Sequence, residues 1–253
     1  MLPCGCIYMS QENPPDSITS HQRTQLSYYE SPSDYEKGGL FRRELGRTYK
    51  RKADIIRSSI LPLTHKSKIL EIGAGSGLAT YFLVKSFEGE YTALDISPEM
   101  LKIAEERIRA SNIRYVCRDA ENPGLPDEHF DAVIGVDVIH HLEDPVGAFS
   151  IWKRLVRPGG KMCFLETNIY NPLNLANIGD EHEVRSFLNT DTNLAKWSKA
   201  AGWESVCVTP APAFTPSKPE ILAPVYDIID KLLVNIPVLN KLTALWLIEN
   251  TRD

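Results

Sequence analysis

The chain has 253 residues, 43% hydrophobic and 24% charged, an ordinary globular balance with room for one α/β domain and additions. Its net charge of −5 argues against a nucleic-acid partner, which calls for a basic face. Five cysteines, an odd number without repeated spacing, exclude a disulfide framework and point to a reducing, cytoplasmic setting.

Met1–Met9 has neither the basic start nor the sustained apolar stretch of a signal peptide. Cys4 and Cys6 lack the second pair that a zinc site needs, and residues 1–20, with Pro14 and Pro15, are expected to be loose. Residues 21–66 are expected to form a helical cap. Within it Leu45, Tyr49, Ala53, Ile56 and Ile60 recur three or four apart, which predicts an amphipathic helix from about 40 to 60. Its other residues include Arg42, Arg43, Arg47, Lys50, Arg51, Lys52 and Arg57. They read first as a solvated face and second as a docking patch for an anionic substrate or a membrane surface.

Residues 67–253 read as one domain. Strands are expected near 68–72, 91–95, 113–118, 130–136 and 160–167, with helices near 77–87, 98–110 and 144–157. Ser97 and Asp144 suit helix caps, and Pro98 and Pro145 suit first helical positions. Such alternation predicts an α/β fold with a doubly wound, mostly parallel sheet. Asn-rich residues 168–191 read as a lid, Asn193–Gly202 as a helix and Trp203–Val208 as a sixth strand. After a linker with Pro210, Pro212, Pro216 and Pro219, residues 219–240 read as a helical insertion, and Thr243–Ile248 as an antiparallel seventh strand that closes the sheet. The insertion reads as a cap on the substrate side before a dimer face or a shallow membrane contact. Asn235, Pro237, Asn240 and Lys241 interrupt the apolar stretch 232–248, so no spanning helix is expected. The oligomeric state stays open.

The most informative stretch is Ile69-Leu-Glu-Ile-Gly-Ala-Gly-Ser-Gly77, followed by Asp95 at the end of the next apolar run. The glycines permit a sharp turn, a close ligand and a helix start, and Asp95 is placed to accept hydrogen bonds from a ribose. Glycines at 73, 75 and 77 give G-x-G-x-G, whereas a dinucleotide loop needs its third glycine where Leu78 stands. A phosphate-binding loop would need Gly-Lys-Ser/Thr where Gly77-Leu78-Ala79 stands. Glu71, two residues before the first glycine, disfavours a pyrophosphate and suits a cationic ligand.

Here the sequence resembles the class I S-adenosylmethionine (SAM)-dependent methyltransferases, whose first motif is E/D-x-G-x-G-x-G. Asp95-Ile96-Ser97-Pro98-Glu99-Met100, Tyr115–Ala120, Phe130–Asp137 with Val138–Leu142, and Leu155–Glu166 are similar to the family's further motifs, in order over about residues 67–167. The resemblance implies SAM as cofactor. It implies a site of Glu71, Gly73, Ala74, Gly75, Gly77, Asp95, Ile96, Met100, Asp119, Ala120 and Val136. It also implies a tyrosine of the N-terminal cap near the methionine end, with Tyr28, Tyr29 and Tyr35 as candidates.

Methyl transfer to a hydroxyl is helped by a base, and His140 and His141, just past the fourth strand, are the candidates. The plainer reading is that one packs against the cofactor and the other orients the loop. Asp137, Glu166 and Asn168 approximate a metal set poorly, so a metal-independent enzyme is expected. The expected acceptor is a small hydroxylated molecule, sugar-like or lipid-linked, with O-methylation favoured. The competing reading is a non-catalytic SAM-binding module that acts through a protein partner.

Overall fold

The computed structural model describes residues 43–253 apart from 86, 173, 175–180, 213–227, 230, 231 and 238. The expectations for residues 1–20, the three cap tyrosines, Cys4 and Cys6, the centre of the lid and most of the helical insertion lie outside the described residues.

Helix α1 (Arg43–Ile60) leads into β1 (Lys68–Ile72), α2 (Leu78–Val84), β2 (Glu90–Asp95), α3 (Pro98–Arg107) and β3 (Ile113–Cys117). Then come β4 (Phe130–Val136), α4 (Pro145–Leu155), β5 (Val156–Thr167), α5 (Asp191–Ala200), β6 (Ser205–Ala211) and β7 (Leu245–Thr251). The seven strands make one sheet in the order β3-β2-β1-β4-β5-β7-β6. All neighbours pair in parallel except β7, which runs antiparallel to both β5 and β6. This is the expected seven-stranded, mostly parallel sheet with an antiparallel closing strand.

The central strands are apolar on both faces because both are covered. In β1, Ile69 faces the layer that holds Ala53, Ile56 and Ile60 of α1 and Ala79 and Leu83 of α2, while Leu70 and Ile72 face the opposite layer. There Phe149 and Trp152 of α4 and Leu194 of α5 pack on Val133, Phe164 and Trp246. Trp152 stacks on Phe164 with ring centroids 4.7 Å apart. The caps act as their sequence implies. Ser97 accepts from the Met100 N–H at 3.2 Å, and Asp144 accepts from the Gly147 N–H at 3.0 Å, each followed by proline at the first helical position.

Two boundaries differ for a physical reason. The helix between the fourth and fifth strands was expected to run to about 157 and the fifth strand to start near 160, yet β5 already begins at Val156 and runs through Pro158-Gly159-Gly160. Gly159 takes a left-handed φ of 74°, and its N–H donates to the Arg252 carbonyl at 2.7 Å. The pairing register on β4 jumps there, from Phe130↔Val156 to Ala132↔Lys161, so the segment is a bulge inside the strand. The closing strand starts at Leu245 because Thr243 and Ala244 are occupied by the segment after β5. The Asn168 side chain donates to the carbonyls of Lys241 (2.9 Å) and Thr243 (2.7 Å), Asn171 to Leu242 (2.7 Å), and Asn174 to Ala244 (2.7 Å). Asparagines three apart thus form a ladder that binds the first residues of the Asn-rich segment to the chain entering β7.

Candidate functional site

The carboxyl ends of β1, β2, β4 and β5 converge where the strand order reverses, which is the ligand crevice of open α/β sheets. After β1 the chain turns through Gly73, Gly75 and Gly77 with φ of 68°, 51° and 80°. Each glycine meets a different neighbour. A Cβ on Gly77 would lie 2.9 Å from the Ala104 Cβ of α3, and one on Gly73 would lie 2.6 Å from Val138 Cγ2. A Cβ on Gly75 would have only the Met100 methyl nearby, at 3.9 Å. Gly73 and Gly77 therefore serve packing, and Gly75 opens onto space beside Met100.

Asp95, at the end of β2, accepts from the Gly75 N–H at 2.7 Å with Oδ2 and from the Ser97 N–H at 2.9 Å with Oδ1. Burial pushes its carboxyl up from the ordinary value, while the N–H groups of Ser97, Gly75 and Ile96 oppose the rise. Ala74 donates to the Leu94 carbonyl at 2.9 Å, which ties the glycine loop to β2. Carboxylate oxygens have lone pairs beyond these bonds, so the arrangement fits a diol lying beside Gly75. Ile96 accepts from the Cys117 thiol at 3.5 Å, and Asp119 Oδ1 accepts from the Glu121 N–H at 2.9 Å. The Ala120 carbonyl accepts from the Trp152 indole at 2.9 Å. Val136, half-buried, ends β4.

Glu71 lies beneath the loop, 2% exposed, and its Oε2 accepts from Thr80 Oγ1 at 2.6 Å and Tyr91 OH at 2.9 Å. Burial raises its carboxyl to about 7, with the two hydroxyls opposing and Asp95 adding to the rise. A folded-state value above the ordinary 4.5 means that the native protein holds this proton more tightly than the unfolded chain does. The resulting stability is present in full below pH 4.5 and is lost as pH rises through about 7. At 1.36 kcal/mol per unit this amounts to about 3 kcal/mol. Glu71→Gln should therefore flatten the fall in the urea midpoint between pH 5 and pH 8. An unchanged fall in the variant would show that other groups carry it.

The loop after β4 is held from β5. Glu166, fully buried, accepts at Oε1 from the N–H groups of Val138 (2.7 Å) and Ile139 (2.6 Å). Its Oε2 lies 3.0 Å from His140 Nδ1 and accepts from the Asn189 amide at 2.8 Å. His140 is 4% exposed, and the half-buried His141 ring lies against it with centroids 3.9 Å apart. Val138, which Glu166 holds, is the residue packed on Gly73, so the histidine loop and the glycine loop share one contact.

Asp137 takes a left-handed φ of 54°, pairs with Lys52 of α1, and accepts from Thr167 Oγ1 at 3.3 Å. Lys52 is 7% exposed and lies 5.2 Å from the centre of the Tyr49 ring. One residue of the basic series is thus internal, contrary to its reading as part of a surface face. Asp137, Glu166 and Asn168, weighed as a metal set, are each engaged with other groups. Among the described residues no group of three or more His, Cys, Asp or Glu is placed to hold a metal. Nor is any described helix long and apolar enough to cross a membrane.

Sequence reasoning missed Glu166 as the partner of His140, and Asn189, Lys52, Thr80 and Tyr91. Two carried a signal: Glu166 as an acid at the end of an apolar run, and Lys52 by its place on the apolar stripe, three after Tyr49 and four before Ile56.

Residues 70–164 match the family described as Methyltransferase domain. The chain is 31% identical over 105 residues to a ubiquinone/menaquinone biosynthesis C-methyltransferase of Shewanella piezotolerans, covering 39% of this chain and 42% of that protein. It is 34% identical over 108 residues to a malonyl-[acyl-carrier protein] O-methyltransferase of Marinomonas, covering 42% of this chain and 40% of that protein. The chain thus spans less than half the length of these relatives. Among solved structures, phosphoethanolamine N-methyltransferase 2 of Haemonchus contortus in complex with SAM superposes with a TM-score of 0.62 at 16% identity, covering 94% of this chain and 61% of that one.

Proposed function

We propose that the chain, whose residues 70–164 match the family described as Methyltransferase domain and whose fold is that of a solved SAM-bound methyltransferase, is a SAM-dependent enzyme that methylates a small hydroxylated acceptor. The observation that carries the reading is the pairing of the Asp95 carboxylate with the opening at Gly75. Asp95 would hold the ribose hydroxyls, Gly75 and Met100 would flank the methionine side, and Asp119 and Ala120 the adenine. When bound, SAM supplies a methyl group on a good leaving group. The chain's own task is to align the acceptor and exclude water.

If the acceptor is a hydroxyl, its proton must leave, and His140 or His141 would take it. Glu166 supports this reading, because a histidine with an orienting carboxylate is built to hold a proton. The segment Glu181–Leu188 reaches Glu166 through Asn189 and leaves Phe187 and Leu188 about half exposed, which supports an acceptor with an apolar portion. Calorimetry with SAM and S-adenosylhomocysteine, followed by a crystal structure with the latter, tests the reading. Absence of binding by the folded chain would overturn it.

Gly75→Val should abolish SAM binding, since the side chain would fill the opening. A branched residue at φ 51° is strained, so a stability loss of about 1–3 kcal/mol is expected in the same variant. Thermal melting and calorimetry read the two effects separately. Normal binding by the variant would place the ligand outside this crevice.

A further inference from the structure

Four donors converge on the two oxygens of Glu166, and their chemistry decides more than their distances do. Oε1 receives two backbone N–H groups, which can only donate. Oε2 faces His140 Nδ1 and Asn189 Nδ2. A carboxylate accepts and does not donate, so both nitrogens must carry hydrogen. In the neutral ring of His140 the hydrogen is then on Nδ1, and the Nε2 lone pair is the ring's acceptor. The same logic fixes the Asn189 amide. Asn189 is fully buried, and among the described residues its Oδ1 has no hydrogen-bond partner in the orientation that brings Nδ2 to Glu166.

We infer that Glu166 is the positioning residue of this site, setting the tautomer of His140 and, through Asn189, tying the segment that follows Leu188 to the loop after β4. The inference deepens the methyltransferase reading and rests on it, because the tautomer matters to function only where His140 takes a proton. A proton arriving at Nε2 makes an imidazolium whose Nδ1–H already points at a carboxylate. That bond becomes charge-assisted as the proton arrives, so the ring accepts it without reorganising.

The experiment is heteronuclear NMR of the full chain labelled with 15N-histidine and saturated with S-adenosylhomocysteine, at a pH where the ring is neutral. The wild-type His140 ring should be protonated at Nδ1 and bare at Nε2. Glu166→Gln keeps the shape and replaces one oxygen by NH2. The two backbone N–H groups still require an oxygen, so the NH2 falls at the Oε2 position and donates to Nδ1. His140 should then switch completely to the Nε2–H form, and the Asn189 amide should turn over to offer its Oδ1. Glu166→Asp retains the carboxylate and should retain the Nδ1–H form.

A role in packing alone predicts the same tautomer in all three proteins. An Nε2–H ring in the wild type, or an Nδ1–H ring in a folded Gln variant, overturns the inference. If the Gln variant does not fold, Glu166→Ala takes its place: without an acceptor at Nδ1 the ring should leave the pure Nδ1–H form, and an unchanged Nδ1–H ring there overturns the inference. Loss of wild-type S-adenosylhomocysteine binding would sink the methyltransferase reading while leaving the tautomer measured without ligand to stand. Normal binding with the wrong tautomer would sink only the role of Glu166.

Discussion

Asp95→Ala should weaken SAM binding at least tenfold and leave the fold in place. A hydrogen bond to a charged group is worth about 1.5–3 kcal/mol, and about 1.4 kcal/mol corresponds to tenfold in affinity. Two ribose hydroxyls on one carboxylate therefore exceed that threshold even if one bond is imperfect. The fold should survive because the carboxylate is itself penalised by burial, so its removal relieves one cost while two N–H groups lose their acceptor. Calorimetry reads the affinity and circular dichroism the fold. A folded variant with wild-type affinity would show that the ribose lies elsewhere.

The second large effect concerns the base. With an acceptor that turns over, His140→Ala should lower kcat by about 10²–10⁴-fold and leave SAM affinity nearly intact. His141→Ala should cost less, because His140 is the ring that Glu166 orients. A histidine that merely packs on the cofactor predicts the reverse, a raised SAM dissociation constant with kcat little changed. The two roles thus separate on which constant moves. Survival of kcat in both variants would exclude these histidines as the base and leave alignment as the source of rate.

The central sheet was legible because its signals are local. Apolar runs, glycines before a helix, and Ser-Pro or Asp-Pro starts each act over a few residues, and the five parallel strands fall within a few residues of their expected places. The glycine loop and Asp95 belong to the same class, since a turn and the acid at the next strand end are set by short-range chemistry. Lys52 was missed for a different reason. Its place three residues after Tyr49 and four before Ile56 puts it on the apolar stripe, unlike Lys50 or Arg51, but the charge run masked that, and the partner it meets there, Asp137, is 85 residues away. Glu166 and His140 stand 26 residues apart, and neither neighbourhood alone announces the pair. The asparagines at 168, 171 and 174 suggested a polar lid. Their amides are instead satisfied by carbonyls some 70 residues later, a match that only tertiary structure reveals.

The placement of β7 has a consequence for how the protein is made. It is the last of the seven strands to leave the ribosome, yet it lies between β5 and β6. During synthesis β6 has no partner until β7 arrives, and β5 presents an unpaired flank that carries Met162, Phe164 and Leu165. An unpaired apolar strand of this kind is the template on which nascent chains pair with one another. The half formed by β1 to β5 can assemble early, whereas the second half must wait and then close in one step. Conditions that slow translation between β6 and β7 lengthen the life of that open flank, so aggregation in a cell should rise with delay in that stretch, even when the finished protein is stable.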